Sequence, residues 1–212
     1  MLAARERLEK MFHAGMFPGN QCVAILDLLR FAVAKNPIPA LRGLPDFHLT
    51  GTTWIRPRDP NEFHGYRRAH WFRRFKSEMK LAVESEPRER WLAPYTVTIF
   101  ADDRTGLLPM EVFAILELLS TARMTLMELA FDFSFASGVT RPYVRRRGVF
   151  GKSQRDLSLT NPNVDWWGAR KGAKRVKSYS KLAIAAHRVE FRMRPKFVHA
   201  HGIHDIFDFG KF

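Results

Sequence analysis

The sequence predicts an α+β fold: an antiparallel β-sheet with helices packed on one face, preceded by N-terminal helices. Three observations carry that expectation. Period-two alternation marks several segments in the second half of the chain, with apolar and charged side chains on opposite faces. Apolar residues at helical spacing dominate the first part. Hydrophobic residues make up 46% of the 212, which is enough for a core.

Taken in order, residues 3–13 and 20–35 read as helices. Leu8, Met11 and Phe12 recur at helical spacing, and Asn20 suits an N-cap. Residues 37–60, rich in Pro, Gly, Asp and Thr, read as irregular with a short strand at 47–50. Residues 66–84 read as a third helix, with Arg67, Arg68, Arg73, Arg74 and Lys80 interleaved with Trp71, Phe72 and Phe75. Tyr95 to Phe100 is a strand of β-branched and aromatic residues. A turn follows at Asp102, Asp103 and Gly106, then a helix from Leu108 to about Ser120 with Pro109 in its first turn. Further strands are expected at 125–135, 174–179 and 187–194, with loops at 137–165 and 168–173. Residues 1–45 are therefore read as an N-terminal helical segment and 46–212 as an α+β domain.

Charge narrows the function classes. Lys and Arg total 35 against 21 Asp and Glu, so the formal net charge is +14. Such an excess attracts polyanions, and Arg suits bidentate contact with phosphate. Cys22 stands alone, so no intrachain disulfide or cysteine-rich zinc site can form; in its apolar run it reads as a core residue. No apolar stretch approaches the ~20 residues of a membrane span, and the first ten residues lack a secretory apolar region. A cytoplasmic, reducing location and no membrane partner are the expectation.

The predicted strands split into two faces. At 125–135, Met127, Leu129, Phe131, Phe133 and Phe135 oppose Glu128, Ala130, Asp132 and Ser134. At 187–194, His187, Val189, Phe191 and Met193 oppose Arg188, Glu190, Arg192 and Arg194. At 174–179, Val176 opposes Arg175, Lys177 and Tyr179. The hydrophilic faces bring Glu128, Asp132 and Glu190 toward Arg, Lys and Tyr179. Carboxylate oxygens suit Mg²⁺ or Mn²⁺, and a metal-polarised phosphoryl group is open to attack by a tyrosine hydroxyl. The plainer alternative is a set of cross-strand Glu–Arg ion bridges. Glu128 and Asp132 are ~13 Å apart along an extended strand, too far to share one metal.

Residues 141–181 hold twelve basic and two acidic side chains. Arg145, Arg146, Arg147, Lys152, Arg170, Lys171, Lys174, Arg175 and Lys177 are the candidate DNA-backbone contacts. Tyr143, Phe150, Trp166, Trp167 and Tyr179 are interleaved, as stacking on unpaired bases requires. The segment Phe150-Gly-Lys-Ser153 lacks the upstream glycine of a phosphate-binding loop, which argues against a nucleoside-triphosphatase.

Three blocks carry a family likeness. Trp167-Gly-Ala-Arg-Lys-Gly-Ala-Lys-Arg-Val-Lys-Ser-Tyr-Ser-Lys181 resembles the Gly-Ser-Arg-Lys-Ser…Arg-x-Tyr-x-Lys block of plasmid and phage replication initiation factors, the Rep_trans type of rolling-circle initiator. Leu126-Met-Glu-Leu-Ala-Phe-Asp132 is similar to the family's Arg-x-Asp-x-Ala-x-Asp strand, and His187-Arg-Val-Glu-Phe-Arg192 to its Arg-x-Glu strand. The likeness covers roughly residues 95–205. It departs at Ser180, where the family usually has Asp, and at Glu128, where Asp is more usual. The resemblance implies a Rep-endonuclease-like fold. It also implies a metal-dependent nicking and religating enzyme whose tyrosine stays joined to a 5′ phosphate at a replication origin.

Carried onto this sequence, the resemblance implies Tyr179 as nucleophile and Lys181 as the cation beside the phenolate or scissile phosphate. Asp132, Glu190 and Glu128 become the candidate ligands of Mg²⁺ or Mn²⁺, and Arg170 and Lys171 hold the DNA backbone. The partner is then single-stranded or origin DNA. His199-Ala200-His201 falls after the tyrosine in a helical stretch and reads as coincidental; His48 or His187 is left open as a further ligand. The alternative is a non-catalytic DNA-binding, or RNA-binding, protein on the same fold. Whether the N-terminal helices make a homodimer interface or read DNA is open at this point.

Overall fold

The computed structural model describes residues 22–55, 65–75, 79–101, 107, 109–119, 122–147, 163–169, 172–182 and 185–200. Its strands are β1 (Cys22–Val33), β2 (Phe47–Trp54), β3 (Tyr66–Arg74), β4 (Lys80–Pro87), β5 (Tyr95–Phe100), β6 (Arg123–Ser134), β7 (Val164–Trp167), β8 (Lys174–Lys181) and β9 (Ala186–Met193). Its helices are α1 (Ile38–Arg42), α2 (Pro109–Leu118), α3 (Arg141–Arg147) and α4 (Pro195–Ala200). The strands form one sheet in the order β2-β3-β4-β5-β1-β6-β9-β8-β7, and every neighbouring pair is antiparallel. Strands β5 and β6 flank β1 on its two sides, so the connection through α2 carries the chain across β1.

One face of the sheet holds the core. Leu29, Phe31, Leu81, Val83, Val97, Ile99 and Met127 pack there with Val112 and Ile115 of α2, Leu41 of α1 and Val198 of α4. A second apolar cluster joins Val144 of α3 to Trp167, Val176 and Val189. Register places both clusters on the same side, so the described helices cover one face, as the sequence predicts for an α+β sheet. Each fully buried Leu, Ile or Phe contributes about 1.5–3 kcal/mol.

Several local expectations are corrected. Residues 20–35 do not form a helix: 22–33 are the strand at the middle of the sheet. A bulge between Leu26 and Leu28 shifts the phase, so core-facing residues fall at 26, 29, 31 and 33, and the first interval imitates a helical step. The boundary expected at residue 45 consequently falls within a single sheet. Residues 66–84 are likewise the hairpin strands β3 and β4. There the buried residues Tyr66, Ala69 and Phe72 fall three apart because the strand buries side chains on both faces. The expected loop at 137–165 contains α3 and the start of β7. The strand at 47–50 extends to Trp54, and those at 95–100, 125–135, 174–179 and 187–194 agree within two residues. The helix expected at 3–13 and the turn at 102–106 lie outside the described residues.

Candidate functional site

The site lies on the face opposite the apolar core, where β1, β6, β9, β8 and β7 run side by side. Alternation and register fix its members. Ala130 opposes Glu190, which opposes Lys177, which opposes Trp166. One row along, Asp132 opposes Arg188, which opposes Tyr179. In the other direction Glu128 opposes Arg192, which opposes Arg175. Antiparallel pairing thus turns three separate sequence blocks into adjacent rows of one polar patch.

The patch is mostly buried. Arg188 and Glu190 are each 1% exposed and Glu128 is 2% exposed, whereas Asp27, Lys177, Tyr179 and Trp166 are half-buried at its margin. Arg188 organises one side: its Nε and Nη2 each donate at 2.6 Å to the two oxygens of Asp132, and its Nη1 donates at 2.8 Å to Asp27. Burial opposes the Arg188 charge, but these carboxylates outweigh it and raise the guanidinium pKa above its ordinary value. Arg192 Nε donates to Glu128, and Lys177 forms an ion pair with Glu190.

The phenol of Tyr179 donates a hydrogen bond to Glu190 Oε1. Burial first, and then the charge and hydrogen bond of Glu190, raise its pKa far above 10.0 and hold the hydroxyl protonated. Glu190, Glu128 and Asp27 offer carboxylate oxygens that all lie within 4.8 Å of one another. Burial raises the pKa of Asp27, and Glu190 adds to it; Arg188, Lys181 and Lys177 pull it back. Glu128 is raised in the same direction, chiefly by burial. Three oxygen donors so close together are a donor set suited to a hard divalent cation.

No protein-family model matches this chain, and no curated protein matches it.

The sequence-predicted residues divide as follows. Tyr179, Glu190 and Glu128 meet in one cluster. Asp132 stands beside them but is held by both prongs of Arg188, and the third close carboxylate is Asp27. Lys181 shares the face of Tyr179 and lies near enough to Asp27 to lower its pKa. Arg175 and Lys177 are drawn into the patch: Arg175 is 4.0 Å and Lys177 5.7 Å from the Trp166 ring centre, and Lys177 is 4.9 Å from that of Tyr179. Arg145 joins Arg141 on the buried carboxylate of Asp165, at 2.7 and 2.5 Å. Arg146 and Lys174 are exposed, with Lys174 6.0 Å from the Phe197 ring. Arg147 ends α3. Lys152, Arg170 and Lys171 lie outside the described residues.

The histidines stand elsewhere. His187 is on the core-side face, where its Nε2 meets Ser178 Oγ at 2.7 Å. His48 stacks on Phe75. His199 bonds to the Met124 carbonyl and Arg123, and His201 lies outside the described residues. Sequence reasoning missed Asp27 because its segment reads as a helix. The signal available was an acid alone in the otherwise apolar run from Cys22 to Leu29.

Proposed function

We propose that the protein is a metal-dependent tyrosine endonuclease that nicks and religates one DNA strand at a replication origin. One observation carries the reading: the Tyr179 hydroxyl is bonded to Glu190, whose carboxylate lies within 4.8 Å of Asp27 and Glu128. A tyrosine beside an acidic cluster on a basic protein suits phosphoryl transfer better than it suits acyl or glycosyl chemistry. The block likeness to replication initiators, on a sheet of the α+β kind, points the same way.

In this reading Tyr179 Oη attacks the phosphorus of the scissile diester. Its proton passes to Glu190, which already accepts it in a hydrogen bond. An O–P bond forms to tyrosine as the bond from phosphorus to the 3′ oxygen breaks, and that oxygen leaves as the 3′ hydroxyl, taking up the proton that Glu190 accepted from Tyr179. Attack by the 3′ hydroxyl reverses the step and rejoins the strand. Lys177 and Lys181, on the same strand and face as Tyr179, offset the charge on the phenolate and phosphoryl oxygens. A Mg²⁺ or Mn²⁺ held by Asp27, Glu128 and Glu190 would polarise a phosphoryl oxygen.

The test is incubation with single-stranded DNA and Mn²⁺, followed by a denaturing gel. A slower protein band is expected with the natural chain. Tyr179→Phe should abolish it while DNA binding persists; an undiminished band in that variant would overturn the assignment. A second reading, a non-catalytic DNA-binding or RNA-binding protein, is favoured by the internal cation that each acid has: Arg188 for Asp27, Arg192 for Glu128, Lys177 for Glu190. It predicts binding with no covalent band under any divalent cation.

A further inference from the structure

The two edges of the sheet are unlike. At one edge β7 is four residues long and holds Asp165 buried against Arg141 and Arg145. A short edge strand with an inward charge is a poor template for further pairing. At the other edge β2 runs for eight residues without a Lys, Arg, Asp, Glu or Pro. Among the described residues β3 is its one neighbour in the sheet. Thr50 to Trp54 are all exposed, and Trp54 is 67% exposed with Arg68 4.2 Å from its ring centre. Ile55 donates its N–H to the Arg67 carbonyl, so alternation turns the N–H groups of Thr52 and Trp54 outward.

The strand is complementary to its own reverse. Phe47 and Leu49 pack on the core side. The bulge between Leu49 and Gly51 shifts the phase, so Thr52 and Trp54, opposite His70 and Arg68, take that same side. His70 and Arg68 alternate with Phe72, which belongs to the core. Phe47 and Trp54 are thus equidistant from the midpoint between Thr50 and Gly51 and share a face, as do Leu49 and Thr52. In an unbulged strand of this length the two end residues fall on opposite faces. Antiparallel pairing sets same-face residues opposite each other. A two-fold axis at the midpoint therefore places Trp54 against the partner's Phe47 and Leu49 against the partner's Thr52. Charge points to the same occupant. The chain carries +14, so two copies repel over most of their surface and meet most readily through a segment free of charge.

We propose that β2 is a homodimer interface, in which the edges of two copies pair antiparallel about a two-fold axis between Thr50 and Gly51 and continue one sheet through both. Strand β8, which carries Tyr179, is near the far end of the sheet order, so the pairing leaves the Tyr179 cluster of each copy clear of the interface. The inference stands independently of the nuclease reading.

Sedimentation equilibrium of the full chain tests it, from micromolar to near-millimolar concentration in salt that screens the net charge. The mass should rise with concentration from one chain to two. A Cβ at Gly51 meets nothing within 4 Å, so a charge can be placed there without crowding the fold. Gly51→Lys and Gly51→Glu should each associate more weakly than the natural chain, because the axis sets like charges together. An equimolar mixture of the two should associate better than either alone. Trp54→Ala removes both copies of one aromatic cross-strand pair and should weaken association by roughly 2- to 30-fold. A natural chain that stays single at near-millimolar concentration, as it would if the edge received a strand of another protein, would overturn the proposal. So would a dimer that Gly51→Lys and Trp54→Ala leave undiminished, or no gain on mixing the two Gly51 variants.

Discussion

Glu84 and Glu190 are both buried glutamates on the same face of one sheet, and they are held in opposite ways. Glu84, on β4, is surrounded by donors: Arg30 pairs with it, Thr96 donates to it, and Thr98 donates at 3.4 Å. Burial raises its pKa, and these same donors pull it back. Glu190, on β9, has Tyr179 and Lys177 as donors but shares its surroundings with Asp27 and Glu128. A lone carboxylate ringed by donors fastens β4 to β5 and β1. Three carboxylates facing one another repel, and burial adds to that cost. The first arrangement serves the fold; the second works against it, and the proposal of metal-dependent chemistry rests on the second.

The comparison breaks most visibly at Arg188. It serves Asp132 and Asp27 at once and is itself 1% exposed, so Arg188→Met strands the buried Asp132 and the half-buried Asp27. A loss of about 3–5 kcal/mol in urea unfolding is expected. A change within the scatter of surface substitutions would show that these acids are hydrated, and the two halves would then be alike.

Added Mn²⁺ sharpens the difference. A ligand that binds only the folded chain at 100 times its Kd stabilises it by about 2.7 kcal/mol. Thermal unfolding should shift upward with Mn²⁺ in the natural chain and in Glu84→Gln, but not in Asp27→Asn. Equal shifts in all three would place the ion elsewhere. Glu84→Gln itself should lower stability by about 1–3 kcal/mol, since Arg30 loses its counter-charge, while leaving the covalent band intact below the melting temperature.

How much of this was legible depends on strand regularity. Strands β6, β8 and β9 alternate cleanly, so the sequence alone assigns Glu128, Asp132, Tyr179 and Glu190 to one face. Strand β1 could not be read in that way, because the bulge beside Asp27 breaks the period of two, and Asp27 was lost with it. Strand β3 buries residues from both faces, which gives an apparent helical spacing and hid the Arg67–Trp71–Arg73 alternation. Strand β7 has four residues, too few to show a period. Alternation also cannot say how deep a polar face lies, so it offers Arg175 and Lys177 as surface contacts, whereas they lie against Trp166. Arg145 had the same fate, since the partner that claims it, Asp165, lies on a different element.

The smallest expected effect tests the electrostatics directly, by comparing Asp165 with Asp27. Burial pushes the pKa of Asp165 up, but hydrogen bonds from Arg141 and Arg145 outweigh it and hold the group well below 3.8. A depressed acid contributes stability that is present above its ordinary value and lost as pH falls through the lowered one. Asp27 is shifted the other way, above 3.8, by burial and Glu190. Its contribution is present below its ordinary value and lost as pH rises through the raised one. Urea unfolding of Asp165→Asn and Asp27→Asn across acidic to neutral pH should therefore give difference curves of opposite slope. Asp165→Asn should become more damaging as pH rises, and Asp27→Asn less damaging or stabilising. Slopes of the same sign would mean that Arg188 alone governs Asp27, and that the crowding of acids around Glu190 carries no electrostatic strain.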